Sequence, residues 1–166
     1  GQEVSEDDLR PRANFLFIEG LDSHVELVKG TERKAFNRSQ TSNSPPVIDV
    51  WISEKGALDL NVDVGETFDL HPFWKKDIEP LQIRIVGLIT PVNPNEAFWF
   101  GHADDLTLDT TRWPTYIYII DETVFREVIA TYLPSTDGTF ETFGYVNASV
   151  LNSRNAEQIE RDLRSL

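Results

Sequence analysis

The sequence predicts an α+β domain: a β-rich mixed sheet with a few short helices. Three observations carry this. Several short runs alternate apolar and polar residues, the longest being Leu81–Ile89 (LQIRIVGLI), and a period of two is the mark of a strand with distinct faces. Val124, Phe125, Val128, Ile129 and Tyr132 instead fall at helical spacing. A few helical patterns interspersed among the strands point to α+β.

In chain order, Asn14–Ile18 (NFLFI) reads as a first strand, Gly20–Ser23 as a turn and His24–Lys29 (HVELVK) as a second strand ended by Gly30. Thr31–Pro46 is rich in Ser, Asn, Thr and Pro and reads as a loop. Val47–Ile52 is strongly β-prone. Ser53 is placed to cap a short helix running to Leu58 or Leu60, because its hydroxyl can accept from an unpaired first-turn N–H. Asn61–Gly65 is a turn, and Glu66–Leu70 returns as a strand. His71–Pro80 is irregular and holds Lys75 and Lys76.

In Leu81–Ile89, Leu81, Ile83, Ile85 and Gly87 are expected on one face, with Gln82, Arg84 and Val86 on the other. Gly87 within a strand marks a bulge or a close backbone approach. Thr115–Ile120 is another strand, and Asp121 caps the helix that follows it. Thr139–Val150 reads as a strand bent at Gly144. A last helix starts near Asn155, where Asn155 and Gln158 suit a capping box and Ala156, Ile159, Leu163 and Leu166 form the apolar stripe. Gly1–Ala13 is expected as a tail, disordered or not native to the domain. Residues 14–166 form one domain, with a β-rich subdomain around 47–120.

Composition narrows the function classes. The chain has 166 residues, 40% of them hydrophobic, with ten Phe, four Tyr and four Trp, enough to bury a core. No apolar run approaches the roughly 18 residues of a membrane helix, so a soluble domain is expected. There is no Cys, which excludes disulfides and thiol catalysis and is compatible with a periplasm or outer surface. Net charge is −13. Acids are scattered along the chain, a surface that repels nucleic acid. The chain starts at Gly and contains no Met, so it is expected to be an excised piece of a longer product.

Motifs for chemistry are sparse. His102, Asp104 and Asp105 offer part of a zinc set, but no second His stands at short spacing. Asp104, Asp105 and Asp109 offer oxygens without the twelve-residue calcium-loop pattern. No Gly-x-Ser-x-Gly and no glycine-rich phosphate loop occurs. No metal, cofactor or catalytic residue is therefore assigned. The aromatics stand out: Phe98-Trp99-Phe100 ends a Pro/Asn loop, Trp74 precedes two lysines and Trp113 precedes Pro114. Two readings stand for Phe98, Trp99, Phe100, Trp74 and Trp113. They pack in the core and its loops, or they anchor a partner protein, since Trp and Tyr dominate binding hot spots.

Three segments in order resemble the extracytoplasmic (periplasmic core) domain of the FtsX-like, or MacB-like, ABC-transporter permeases. Val47–Leu70 resembles that family's strand, short helix and "leucine–x–valine–glycine–aspartate" turn, here Val64-Gly65-Glu66 with Glu where Asp is commoner. Ile83–Ile89 (IRIVGLI) is similar to its "valine–valine–glycine–valine" strand. Pro91–Phe100 resembles a branch whose Pro/Asn/Asp loop ends in aromatics. Upstream, Gly20–Gly30 resembles a glycine–arginine motif, with Thr31 in place of the Arg. The likeness covers about residues 14–133, and the front of the chain is short for a complete family domain.

The resemblance implies a non-catalytic domain of the MacB-like type, outside the membrane and anchored by flanking transmembrane helices. It would relay motion from a separate cytoplasmic ATPase subunit to an exported substrate or an outer partner protein. Gly65 and Gly87 would serve as structural turn and bulge residues. A free-standing secreted or surface ligand-binding module is the alternative. A hydrolase using two carboxylates is a third reading, and an acidic chain offers too many carboxylate pairs to select one.

Overall fold

The computed structural model describes residues 12–34, 46–72, 79–101, 103–106, 108–109, 115–133, 138, 141 and 155–163. The strands are β1 (Arg12–Leu16), β2 (Val25–Gly30), β3 (Ile48–Ser53), β4 (Thr67–Leu70), β5 (Leu81–Pro91), β6 (Leu108–Asp109) and β7 (Thr115–Ile119). They form one seven-stranded mixed sheet ordered β1-β7-β3-β5-β2, with β4 also on β5 and β6 on β7. Pairs β1/β7 and β3/β5 are parallel, and β2/β5, β4/β5, β3/β7 and β6/β7 antiparallel. With its few short helices, this is the β-rich mixed-sheet α+β arrangement expected.

The helices form where their caps are. The Ser53 hydroxyl accepts from the Gly56 N–H at 3.0 Å and starts α1 (Glu54–Leu60). Asn61 ends it in the left-handed region at φ 55°, where Asn is tolerated because its short polar side chain bonds locally. Asp121 accepts from the Val124 N–H at 2.9 Å. The segment it caps winds as a π-helix (Val124–Ile129) before passing into α2 (Ala130–Tyr132). Its expected apolar stripe holds: Val124, Val128 and Ile129 are buried, and Phe125 and Tyr132 pack beside them. The last helix, α3, spans Ala156–Leu163.

Each face of the sheet carries its own core. Ile48, Val50 and Ile52 of β3, Leu81, Ile83, Ile85 and Leu88 of β5, and Tyr118 beside Ile120 pack under α1 and the π-helical segment. On the opposite face, Trp51, Ile89, Ile117 and Ile119 meet Leu21, Trp99, Ala103 and Leu106. Among the described side chains, no residue of a regular helix belongs to this second cluster. Its cover is three single 3-10 turns, Leu21–Ser23, Ala97–Trp99 and Ala103–Leu106.

Several expectations need correction. Strand β5 does not keep one alternation through Gly87: register against β3 shifts between Val50/Trp51. Ile85 and Leu88, three residues apart, therefore share a face. His24 lies outside the second strand and closes the 3-10 turn instead. The first strand starts at Arg12 and stops at Leu16, earlier than hydropathy suggested, because its register is dictated by parallel pairing to β7. Ala103–Leu106 is a 3-10 turn and Leu108–Asp109 a short strand, neither assigned from the sequence. The expected strand at Thr139–Val150 and the bend at Gly144 lie outside the described residues.

Candidate functional site

Of the aromatics singled out from the sequence, Phe98, Trp99 and Phe100 lie in one strained loop beside the second core cluster. Asn93 opens the loop: its side chain accepts from the Asn95 N–H and its carbonyl from the Glu96 N–H, both at 3.1 Å. A 3-10 turn, Ala97–Trp99, follows. The loop then leaves through two left-handed residues, Phe100 at φ 49° and Gly101 at φ 85°. Gly accepts that conformation freely, whereas an aromatic residue pays a steric penalty there.

Trp99 is only 4% exposed and packs among Leu21, Trp51 and Ile89. Its ring is therefore core, the first of the two readings given for it. Its Nε1 is buried with no hydrogen-bond partner among the described residues. Phe98 is half-buried and lies edge-on to Trp99, centroids 5.0 Å apart at 84°. It also stacks on His24 at 3.6 Å and 8°. His24 Nδ1 sits 2.9 Å from Glu96 Oε1, and the His24 carbonyl accepts from the Val92 N–H at 3.0 Å. The loop is therefore fastened to the Leu21–Ser23 turn through one histidine. Phe100 is half-buried. Trp74, Trp113 and His102 lie outside the described residues.

A second cluster adjoins the first through Trp51. The Arg33 guanidinium lies 4.1 Å over the Trp51 ring, and Arg33 Nη2 donates to Asp22 Oδ1 at 2.8 Å. Trp51 Nε1 donates to the Thr31 carbonyl at 3.0 Å. The Arg33 side chain is 11% exposed, and its Nη1 is buried without a partner among the described residues. Burial pushes the guanidinium below its ordinary range, against the opposing attraction of Asp22 and Asp121.

Beneath Trp51 lies Gly87. A Cβ there would stand 2.6 Å from Leu27 Cδ1, 2.7 Å from Trp51 Cδ1 and 2.8 Å from Trp51 Nε1. Its cross-strand partner Gly30 has φ +99°, and a Cβ there would meet the Val86 carbonyl oxygen at 2.1 Å. The bulge expected at Gly87 is present, together with a glycine pair that lets an indole lie on the sheet. Gly65 takes φ +95° in open space, as the turn required. The Arg33–Trp51 contact was not legible in the sequence, since Arg33 sits in a polar loop whose path no local pattern specifies.

An open groove of about 480 Å³ lies on the other side of β5, lined among others by Lys29, Glu54, Ala57, Leu58, Asp63 and Leu88. Lys29 pairs with Asp63, and that hydrogen bond, with one from the Val64 N–H, holds the Asp63 carboxyl below the usual range. Leu58 is 75% exposed at the lip. Burial pushes the Tyr118 phenol up, and neighbouring Tyr116 adds to it.

Among the described residues, no group of three or more His, Asp or Glu is placed to hold a metal ion. Asp104 is exposed. No helix among them is long and apolar enough to cross a membrane. No protein-family model, no curated protein and no solved structure matches the chain.

Proposed function

We propose that the chain is a non-catalytic extracytoplasmic domain of an ABC-transporter permease of the FtsX-like, MacB-like type. In this reading it relays motion from a separate cytoplasmic ATPase subunit to an exported substrate or an outer partner protein. The observation that carries the reading is the β3–α1–β4 unit, the segment with the fullest motif likeness. It runs as strand, short capped helix, left-handed Asn61, Gly65 at φ +95° and a returning strand on β5. The order of elements and the place of the glycine are those the likeness implies.

The test is cellular. In the parent gene, hydrophobic spans of about 20 residues should flank this segment. The native protein should sediment with membranes, and protease added outside the cytoplasmic membrane should cleave this domain. A protein without such spans that stays in the cytosolic fraction overturns the proposal. The alternative, a free-standing secreted or surface ligand-binding module, calls for a closed pocket lined by aromatics, whereas the groove beside α1 is open and has no aromatic in its lining. That reading requires a signal peptide followed by no further span, so the same experiment separates the two.

A further inference from the structure

We propose that the Val92–Gly101 loop is a latched lid: it opens as a unit, carries Trp99 out of the second core cluster, and is held shut by His24. Four observations place the weakness in this loop. Its key side chain, Trp99, is buried with an N–H that has no partner among the described residues, and a buried donor without an acceptor disfavours the state that buries it. Its exit residue, Phe100, is held at positive φ, with Gly101 adjoining as a ready pivot. Among the described residues, the non-strand members of the cluster beneath come from single 3-10 turns. Finally, three of the contacts that close the loop converge on one partly exposed residue: the stack of Phe98 on His24, the Glu96 contact and the Val92 N–H to the His24 carbonyl.

A strained exit, a buried donor without an acceptor and fastenings that share one residue are the features of a segment that opens locally below the global unfolding free energy. The lid also joins the two readings of Trp99. Closed, it is core; open, it presents an indole at the surface where the sequence placed a partner anchor. The inference concerns motion of the chain alone and stands or falls independently of the transporter reading.

The test is hydrogen exchange by NMR on the full 166-residue chain. The indole N–H of Trp99, assigned by its loss in Trp99→Phe, reports the lid. The indole N–H of Trp51, bonded to Thr31, and the Ile85 amide, bonded to the Glu66 carbonyl, report the body. The Trp99 signal should exchange faster than both references. His24→Ala removes an aromatic stack and a polar contact, and should raise Trp99 exchange by about five- to a hundredfold while leaving both references unchanged. Phe98→Leu, which removes the stack alone, should give a smaller rise. The proposal is overturned if Trp99, Trp51 and Ile85 exchange through one common opening, or if either substitution accelerates all three equally.

Discussion

Adding one methyl group at Gly87 tests the packing of the second core cluster. In Gly87→Ala the new Cβ meets Leu27 Cδ1 and two atoms of the Trp51 indole, all inside 3.0 Å. An exposed side chain would swing aside. Trp51 cannot do so freely: it is 5% exposed, its Nε1 is bonded to Thr31 and Arg33 lies over its ring. Overpacking costs about 1–3 kcal/mol, and a strained Trp51–Thr31 bond adds up to about 1 kcal/mol. Restricting the unfolded chain returns about 0.4–1 kcal/mol. The net loss is about 1–3 kcal/mol, which lowers a urea midpoint by about 0.5–1.5 M at a slope near ~2 kcal/mol/M. Urea unfolding followed by far-UV circular dichroism measures it. A double-mutant cycle with Trp51→Phe isolates the clash, because a smaller ring should recover at least ~0.5 kcal/mol of it. A neutral Gly87→Ala, or a loss unaltered in the Trp51→Phe background, refutes the reasoning.

Three further outcomes follow from the same structure. Ser53→Ala removes the acceptor for the Gly56 N–H and should cost about 0.5–2 kcal/mol in the same unfolding assay, with Ser53→Asp retaining most of the stability. Asp22→Asn should destabilise more than Arg33→Met, by about 1 kcal/mol, since the first takes from a guanidinium that is 11% exposed the carboxylate it is bonded to, leaving only the attraction of Asp121, and the second also deletes the Nη1 that has no partner among the described residues. Asp63 has a lowered carboxyl pKa through Lys29, so its contribution is present above the ordinary carboxylate range and lost as pH falls through the depressed folded value. Lys29→Met should raise the Asp63 midpoint in a carboxyl-carbon NMR titration, and an unmoved midpoint removes Lys29 as the cause.

Local chemistry made much of the helix-covered face legible. Ser53 and Asp121 announce their helices because a free hydroxyl or carboxylate ahead of an apolar stripe satisfies N–H groups that have no other partner. The stripe Val124, Val128, Ile129 and the alternation Leu81, Ile83, Ile85 both point into the core they were expected to build. These signals are short-range, and the physics that reads them needs only a few neighbouring residues. Alternation failed where a distant strand intervened. Opposite Val50 and Trp51, β5 gives up one residue to a bulge, and every side chain beyond it changes face. Gly87 marked the place, and the size of the Trp51 ring gave the reason.

The candidate site was legible in composition and illegible in exposure. Three consecutive aromatics after a Pro/Asn loop fit equally a core plug and a surface anchor, because burial depends on what lies opposite. What lies opposite here is Trp51 and Leu21, from segments tens of residues away in sequence. The same distance hides the partners that fasten the loop: His24 reaches Glu96 across 72 residues, and Arg33 reaches Trp51 from a polar stretch. Yet the atoms without a partner among the described residues, Trp99 Nε1 and Arg33 Nη1, both fall in this one layer. A core built for stability alone would bury Phe and Leu at such positions, since neither carries a polar atom to leave unpaired. An indole retained in the Val92–Gly101 loop fits the proposed opening of that loop alone, with Trp51 and the β5-centred core beneath it staying whole.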